Sequence, residues 1–271
     1  MDFPEEYINK IIHIDALAML IQLPDESVDL VFADPPYNIQ KEEYMDNRKN
    51  YNSWCESWIN ECFRILKPTG TFYLKTISRH LEWKMPLMAK QGVFINLVAW
   101  SNASGGRNNK RRFWYSYEPI MVYGKTKKYK FNTYAQVNTS GVIRWGGYKG
   151  EFRGQILDYW DIPFVYSGAI IHAEAILQQG TKKKAHPCQM PEALSRRAIL
   201  FSTDPGDLVF DPFAGSGTTP ATAIIADRKF SGCEIEKKYH KIIDIRLTEA
   251  RRVKAFNDSQ LKFELEQGVF L

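Results

Sequence analysis

The first stretch that could do chemistry is DLVFADPPYN at residues 29–38, where an apolar run ends in an acid, two prolines and a tyrosine. Proline has no backbone N–H, so Pro35 and Pro36 cannot extend a hydrogen-bonded ladder, and each pushes the preceding residue towards extended geometry. The sequence therefore predicts a stiff exit from a strand. Such an exit directs outwards the carboxylate of Asp34, carbonyl oxygens that no ladder uses, and the aromatic face of Tyr37.

A second stretch, DLVFDPFAGSGTTPATAI at 207–224, predicts a strand that ends at Asp211 and a tight turn into a helix, opened by Gly215 and Gly217. Such a turn lets a ligand approach the backbone and places helix N–H groups beside an anionic group. A nucleoside triphosphatase is disfavoured because the lysine of a P-loop is missing. A Rossmann oxidoreductase is a weak alternative, because only the first half of the dinucleotide fingerprint is present.

Glu234 follows the next predicted strand, about 20 residues on, where an acid can bind a ribose diol. The combination favours a nucleoside that carries a small carboxylate-bearing group rather than a chain of phosphates. That description fits S-adenosylmethionine. A glycine turn of this kind, taken alone, would predict only packing of a helix on a strand.

Alternating strand and helix patterns surround both stretches and must position them. Near-continuous apolar runs are typical of strands in a parallel sheet that is covered on both faces. The fold class predicted is therefore α/β, with a mostly parallel, doubly wound sheet. The predicted strands are 10–15, 28–34, 71–76, 93–100, 117–124, 207–213 and 229–235, and the helices are 16–23, 52–66, one that ends near 91, 191–202, one that ends near 227, and 237–253.

Two regions depart from this alternation. Residues 38–50 are polar and predict a loop, and 125–185 predict an insert with a few strands and one short helix near 172–179. The insert overlaps a basic region: residues 105–154 hold 11 Lys/Arg and 2 Asp/Glu, a net charge of +9 in a chain whose net charge is +5. Aromatic residues are mixed with these cations. The mixture suits phosphate contact and base stacking, although a solvated loop is an equal alternative on charge alone.

The length of 271 residues suits one large α/β domain, or one domain with an insert. The four cysteines form no C-x-x-C pair, so the sequence suggests neither a metal site nor a redox motif, and we expect reduced thiols in a cytoplasmic protein. No signal peptide and no transmembrane run is visible, so no membrane association is expected.

The paired signatures resemble those of the amino-group (N6-adenine or N4-cytosine) DNA methyltransferases of bacterial restriction–modification systems. D-P-P-Y (34–37) and F-x-G-x-G (213–217) match letter for letter, and their order along the chain resembles the β class. RNA and protein methyltransferases with a similar catalytic motif usually place the cofactor motif first. Further matching stretches are 66-LKPTG-70, 111-RRFWYSYEPIMVYGK-125, 186-HPCQMPEALSRRAI-199 and 232-GCEIEKKYH-240.

The resemblance implies a Rossmann-like, circularly permuted methyltransferase fold that uses S-adenosylmethionine. The catalytic half would span 1–124, a target-recognition insert 125–185 and the cofactor-binding half 186–254, with a tail at 255–271 of no assigned function. The implied partner is double-stranded DNA. A homodimer and a cognate restriction endonuclease are further implied partners.

The resemblance also implies catalytic roles. The carboxylate of Asp34 and the carbonyl of Pro35, held rigid by Pro36, would accept the hydrogens of an exocyclic amino group and restore the lone pair of its nitrogen. Tyr37 would stack on a base flipped out of the duplex. The aspartate in this motif favours adenine N6 as the methylated position. The alternatives are cytosine N4, an amino group in RNA, or a DNA-binding relative that has lost activity.

Implied cofactor contacts cover the second motif and three strand ends. Hydroxyls of Ser216 and Thr218 would bind the carboxylate, Glu234 the ribose, and Ile235 the adenine ring. The full implied set is Asp15, Ala16, Asp211, Phe213, Gly215, Ser216, Gly217, Thr218, Glu234 and Ile235. Candidate DNA contacts are Arg107, Lys110, Arg111, Arg112, Arg144, Lys149 and Arg153.

Overall fold

The computed structural model describes residues 2–39, 48–101, 115–132, 157–162, 186 and 188–266. These residues form one eight-stranded sheet in the order β1-β8-β7-β2-β3-β5-β4-β6. The strands are β1 (Lys10–Ile12), β2 (Val28–Ala33), β3 (Leu66–Lys75), β4 (Val93–Ser101), β5 (Tyr117–Gly124), β6 (Tyr159–Trp160), β7 (Leu208–Asp211) and β8 (Lys229–Cys233). The helices are α1 (Ala16–Leu20), α2 (Tyr51–Ile65), α3 (Leu81–Ala89), α4 (Glu192–Ser202), α5 (Thr218–Ile225) and α6 (Lys237–Glu266), with 3₁₀ turns at Glu5–Tyr7 and Ser78–His80.

The sheet is mostly parallel, as predicted. Strands β1, β8, β7, β2 and β3 are joined by parallel pairing, whereas β5 runs antiparallel to both β3 and β4. Strand β6 pairs in parallel with β4 and lies within the predicted insert. The insert therefore contributes at least one strand to the main sheet, while its predicted helix near 172–179 lies outside the described residues.

Helices cover both faces of the sheet, which confirms the doubly wound architecture. Side chains of α1, α2 and α3 pack into one apolar core and those of α4, α5 and α6 into the other. Every residue of β2 and of β7 is buried, because each strand lies between these two layers. The two strands that precede the sequence motifs are thus completely buried.

Two elements extend beyond the ranges predicted from sequence. The turn-forming residues 67-KPTG-70 predict the end of a helix over 52–66, but 66–70 begin β3, because Leu66 pairs with Val28 at the start of β2. Helix α6 was expected to end near 253, and it continues to Glu266. In the described part of the chain, no helix has the length and apolar character needed to cross a membrane.

Candidate active site

The two sequence motifs meet at one edge of the sheet. Strands β2 and β7 are parallel neighbours, with Leu30 opposite Val209 and Val31 opposite Phe210. Their carboxyl ends therefore lie side by side, and so do the motifs that follow them. Asp34 is close enough for its negative charge to contribute to a raised pKa of the Asp211 carboxyl.

The tetrapeptide at residues 34–37 is tied to Lys75, a residue that lies outside both sequence motifs. The Tyr37 hydroxyl donates a hydrogen bond to Oδ1 of Asp34, and it accepts one from Nζ of Lys75 at 2.6 Å. The same Nζ lies 3.2 Å from Oδ1 of Asp34. The three polar groups thus form a closed triangle of hydrogen bonds at the end of β2.

Lys75 also pairs with a second carboxylate. Its Nζ lies 2.7 Å from Oε2 of Glu118, and the residue is only 6% exposed. Burial by itself lowers the pKa of Lys75, but the charges of Asp34 and Glu118 outweigh burial and raise it. The pKa of Tyr37 is raised well above its usual value by burial and then by the charges of Asp34 and Glu118. The site therefore holds an ammonium group and a protonated phenol at neutral pH.

A second set of contacts supports the far side of the tetrapeptide. The Tyr51 hydroxyl donates to the carbonyl of Pro36 at 2.8 Å. Behind Tyr51 lies the fully buried Lys84, which donates to Oγ1 of Thr76 at 3.2 Å. Burial lowers the pKa of Lys84 to about 8. Tyr51, the first residue of α2, therefore holds the carbonyl of Pro36 in place.

A polar cleft opens beside the tetrapeptide. The side chain of Asn38 binds both the backbone N–H (2.7 Å) and the carbonyl (3.2 Å) of Arg48. The cleft has a volume of about 490 Å³, and among its described lining residues there are three cations and no acid. The lining residues are Asn38, Arg48, Lys49, Asn50, Tyr51, Asn52, Ser53, Arg79 and His80.

The glycine turn has the backbone that its sequence predicts. Gly215 and Gly217 have φ of 53° and 79°, in the left-handed region that favours glycine, and Gly217 caps the N-terminus of α5. A Cβ at Gly215 would lie 3.2 Å from Nε2 of His186. The buried His186 also packs against Tyr239, with the two ring centroids 4.4 Å apart.

Glu234 joins this turn to the end of β8. Its carboxylate accepts hydrogen bonds from the backbone N–H groups of Gly215 and Glu236, each at 2.8 Å, and burial raises its pKa. The neighbouring Ile235 is 38% exposed. A carboxylate beside an exposed apolar side chain fits the ribose and adenine of S-adenosylmethionine, so the residues present suit this cofactor.

Two further acids lie after the ends of strands β7 and β1. Asp211 is buried at the end of β7 and accepts from the backbone N–H of Phe213 at 2.9 Å; burial is the main cause that raises its pKa to about 7. Asp15 caps α1 by accepting from the N–H groups of Leu17 and Ala18, and the buried Ala16 is the first helical residue. The second oxygen of Asp15 lies 3.8 Å from Arg48.

Three predicted cofactor contacts point into the protein. Ser216 and Thr218 are buried, and their hydroxyls contact Nη1 of Arg246 and the carbonyl of Met190, respectively. Ser216 accepts the hydrogen bond from Arg246, whereas Thr218 donates its hydrogen bond to the carbonyl of Met190. The ring of Phe213 packs edge-on against Trp58 at 5.0 Å, as part of the core.

The predicted DNA contacts at Arg107, Lys110, Arg111, Arg112, Arg144, Lys149 and Arg153 all lie outside the described residues. Sequence reasoning missed Lys75, Glu118, Tyr51 and Arg246, which hold the two motifs in place. A signal existed for Lys75, because a lysine inside the apolar strand 71-TFYLKT-76 needs a buried partner.

Comparison with known proteins agrees with this geometry. A family model described as DNA methylase matches residues 28–244. The curated relatives include the DNA adenine methyltransferase YhdJ of Escherichia coli (strain K12), 36% identical over 251 residues that cover 86% of this chain and 80% of the relative. They also include the type II methyltransferase M.BglII of Bacillus subtilis, 33% identical, with 88% of this chain and 68% of the relative covered.

Solved structures show the same fold. A complex of M1.HpyAVI with SAM is 24% identical, with a TM-score of 0.61 over 88% of this chain and 98% of that one. The PvuII DNA methyltransferase, described as cytosine-N4-specific, is 20% identical, with a TM-score of 0.67 over 91% of both chains. The fold is therefore that of the S-adenosylmethionine-dependent methyltransferases, as the sequence predicted.

Proposed function

The chain belongs to the DNA methylase family, and on that premise we propose that it transfers a methyl group from S-adenosylmethionine to the exocyclic N6 amino group of an adenine in double-stranded DNA. The observation that carries the proposal is the adjacency of the two motifs. Strands β2 and β7 are parallel neighbours, so Asp34, which follows β2, and the turn at Gly215, which follows β7, lie at the same edge of the sheet.

The catalytic task is to make a poor nucleophile reactive. The lone pair of an exocyclic amino nitrogen is delocalised into the ring, and acceptors for its hydrogens draw the nitrogen towards tetrahedral geometry. Asp34 and the carbonyl of Pro35 supply these acceptors on a turn that Tyr51 and Lys75 hold in place. The carboxylate also stabilises the positive charge that develops on the nitrogen, and it can receive the proton that leaves.

The cofactor supplies a methyl group made electrophilic by the sulfonium to which it is attached. Glu234 is placed to bind the ribose hydroxyls and Ile235 to contact the adenine ring, while Asp15 lies at the end of β1 on the same side of the sheet. We assign the cofactor carboxylate to the turn that carries the hydroxyls of Ser216 and Thr218, where the N-terminus of α5 favours an anionic group.

The choice of adenine has two supports. The catalytic motif carries an aspartate, and YhdJ is named as an adenine methyltransferase. Cytosine N4 is the second candidate, since the PvuII enzyme, described as cytosine-N4-specific, has the same fold. Both bases present an amino group to which Asp34 could bind.

DNA backbone contact is assigned to the polar cleft beside the catalytic turn and to the basic stretch 105–154. Arg48, Lys49 and Arg79 line the cleft without an acid among its described lining residues, a charge balance that suits phosphate. The seven predicted DNA-binding residues belong to the basic stretch. Site-specific recognition is assigned to the insert at 125–185, between catalytic and cofactor-binding halves at 1–124 and 186–254.

The test is to express the chain in a bacterial host without DNA methylation and to sequence the DNA by a single-molecule method that detects modified bases. We expect N6-methyladenine at one short sequence and none with Asp34→Ala, because the main acceptor for the amino hydrogens is lost. Glu82→Ala, which removes an exposed carboxylate from α3, is the matched control and should methylate normally. N4-methylcytosine would correct the base, and no modification by a folded, cofactor-binding protein would refute DNA methylation.

Partners beyond DNA rest on the family resemblance. We assign a homodimeric state, a cytoplasmic location and a cognate restriction endonuclease as proposals. Sedimentation of the purified protein tests the first. Cleavage of unmodified but not of modified host DNA by a nuclease encoded beside the chain would support the last.

A further inference from the structure

The Tyr37 hydroxyl is both donor and acceptor at the catalytic turn. It donates to Oδ1 of Asp34 and accepts from Nζ of Lys75, and the last two atoms lie only 3.2 Å apart. Asp34 and Lys75 therefore offer one acceptor and one donor side by side. Any group that replaces the Tyr37 hydroxyl in both hydrogen bonds must itself donate to Asp34 and accept from Lys75.

The amino edge of a nucleobase has this pair of groups. Adenine donates through N6–H and accepts at the adjacent ring nitrogen N1, and cytosine donates through N4–H and accepts at N3. Guanine and thymine present a carbonyl oxygen and a ring N–H at the corresponding positions, so the carbonyl would face Asp34 and the N–H would face the ammonium. Enzymes that flip a base read it through hydrogen bonds to this same edge.

Lys75 is held so that it can act only as a donor. Oε2 of Glu118 accepts from Nζ at 2.7 Å, and the Tyr37 and Trp100 rings lie 5.0 and 5.4 Å from it. The position follows from the sheet, because Ala33 of β2 pairs with Leu74 of β3. The next residue on each strand, Asp34 after the end of β2 and Lys75 at the end of β3, therefore lies beside the other. Burial beside two carboxylates keeps the group charged, since their influence raises its pKa.

We infer that Lys75 is a base-reading residue, which donates a hydrogen bond to the ring nitrogen beside the target amino group once the Tyr37 hydroxyl has been displaced. The inference rests on the proposed function and deepens it. Asp34 recognises the amino hydrogens, and Lys75 selects an amino base over a keto base. Tyr37, released from both hydrogen bonds, becomes available to stack on the base.

The experiment measures binding, not turnover. Duplexes carry the methylated site found by sequencing, with adenine, 1-deazaadenine or 3-deazaadenine at the target position opposite an abasic site, so that none of the three is base-paired and all pay the same cost of unpairing; S-adenosylhomocysteine is present. The 1-deaza base keeps the amino group and replaces only N1 by C–H, and the 3-deaza base is the matched control on the other side of the ring. Loss of one hydrogen bond from a charged donor should weaken binding of the 1-deaza duplex by about 10- to 100-fold. The 3-deaza duplex should bind as the adenine duplex does.

Lys75→Met supplies the second half of the comparison, because it keeps most of the side-chain volume without a donor. It should bind adenine and 1-deazaadenine duplexes equally. Lys75→Met leaves the negative charge of Glu118 without its partner, and adding Glu118→Gln removes that charge. If Lys75 served only to neutralise Glu118, the double variant would again distinguish the two bases. We expect the double variant to remain unable to distinguish the two bases.

Two outcomes overturn the inference. The first is that the unaltered protein binds adenine and 1-deazaadenine duplexes equally. The second is that Lys75→Met prefers the adenine duplex over the 1-deazaadenine duplex as strongly as the unaltered protein does. If Lys75→Met does not fold, the double variant is compared instead. A chain that methylates no DNA would instead refute the proposed function. If the product is N4-methylcytosine, the same comparison is made with cytosine and 3-deazacytosine.

Discussion

The buried carboxyl of Asp211 makes the free energy of unfolding depend on pH. Its pKa is raised to about 7, whereas a carboxyl in the unfolded chain titrates near 3.9. The folded state therefore binds a proton more tightly, so this group contributes stability that is fully present below about pH 4 and is lost as the pH rises through about 7. The difference of about three pH units sets an upper limit of about 4 kcal/mol.

Asp211→Asn should remove this contribution to the pH dependence, because the amide is neutral throughout. We expect the free energy of unfolding to decline less between pH 5 and pH 8 in the variant than in the unaltered protein. Urea denaturation followed by tryptophan fluorescence measures it. Asp244→Asn, an exposed change on α6, is the control, and an equal decline in all three proteins would show that Asp211 is ionised already at pH 5.

Residue identities at the two turns were predictable, whereas their supporting contacts were not. Proline and glycine patterns at 34–37 and 213–217 act within a few residues along the chain, so the sequence alone reveals them. Tyr51 reaches Pro36, and Arg246 reaches Ser216, across 15 and 30 residues of sequence. Such contacts depend on helix docking, which local patterns do not specify.

Strands β7 and β8 approach each other so closely that the ladder position of Gly232 has no room for a side chain. A Cβ on Gly232 would lie 2.1 Å from the carbonyl oxygen of Asp211, its partner in the ladder. Gly232→Ala must therefore push the strands apart at Asp211, just before the glycine turn at 213–217. We expect a loss of about 1–3 kcal/mol in the free energy of unfolding and weaker binding of S-adenosylmethionine.

Lys229→Ala is the matched control for Gly232→Ala, since it alters an exposed position of the same strand. Denaturation and calorimetric titration with S-adenosylmethionine compare the three proteins. If Gly232→Ala binds the cofactor as tightly as the control does, then the spacing of β7 and β8 does not determine the geometry of the turn.

The elements themselves followed from periodicity wherever the pattern was strong. The range predicted for the strand at 117–124 was the same as that of β5, and helix α4 differed from its prediction by one residue. Prediction was wrong at 66–70, because Pro68 and Gly70 indicate a turn locally, yet pairing with β2 extends the strand through them. The long end of α6 was missed because its residues are mostly polar and show no clear apolar period.

Charge is distributed unevenly over the whole molecule. Residues 105–154 carry a net charge of +9, so the remaining chain sums to −4. We expect DNA to be held by this stretch together with the cations of the polar cleft, and to be repelled by the acidic remainder of the protein. Because binding of cations to phosphate releases counterions, the number of phosphate contacts can be counted from the salt dependence of affinity.

Neutralising Arg111 and Arg112 together, as Arg111→Gln and Arg112→Gln, should weaken DNA binding and flatten the slope of log K against log salt. Each lost phosphate contact reduces the slope by about 0.9, so the pair should reduce it by up to about 1.8. Arg251→Gln with Arg252→Gln is the matched control, because it removes the same charge from the exposed face of α6. Fluorescence anisotropy at several salt concentrations measures both. An unchanged slope would remove Arg111 and Arg112 from the interface, and equal flattening by the control would mean that overall charge, not local contact, governs the affinity.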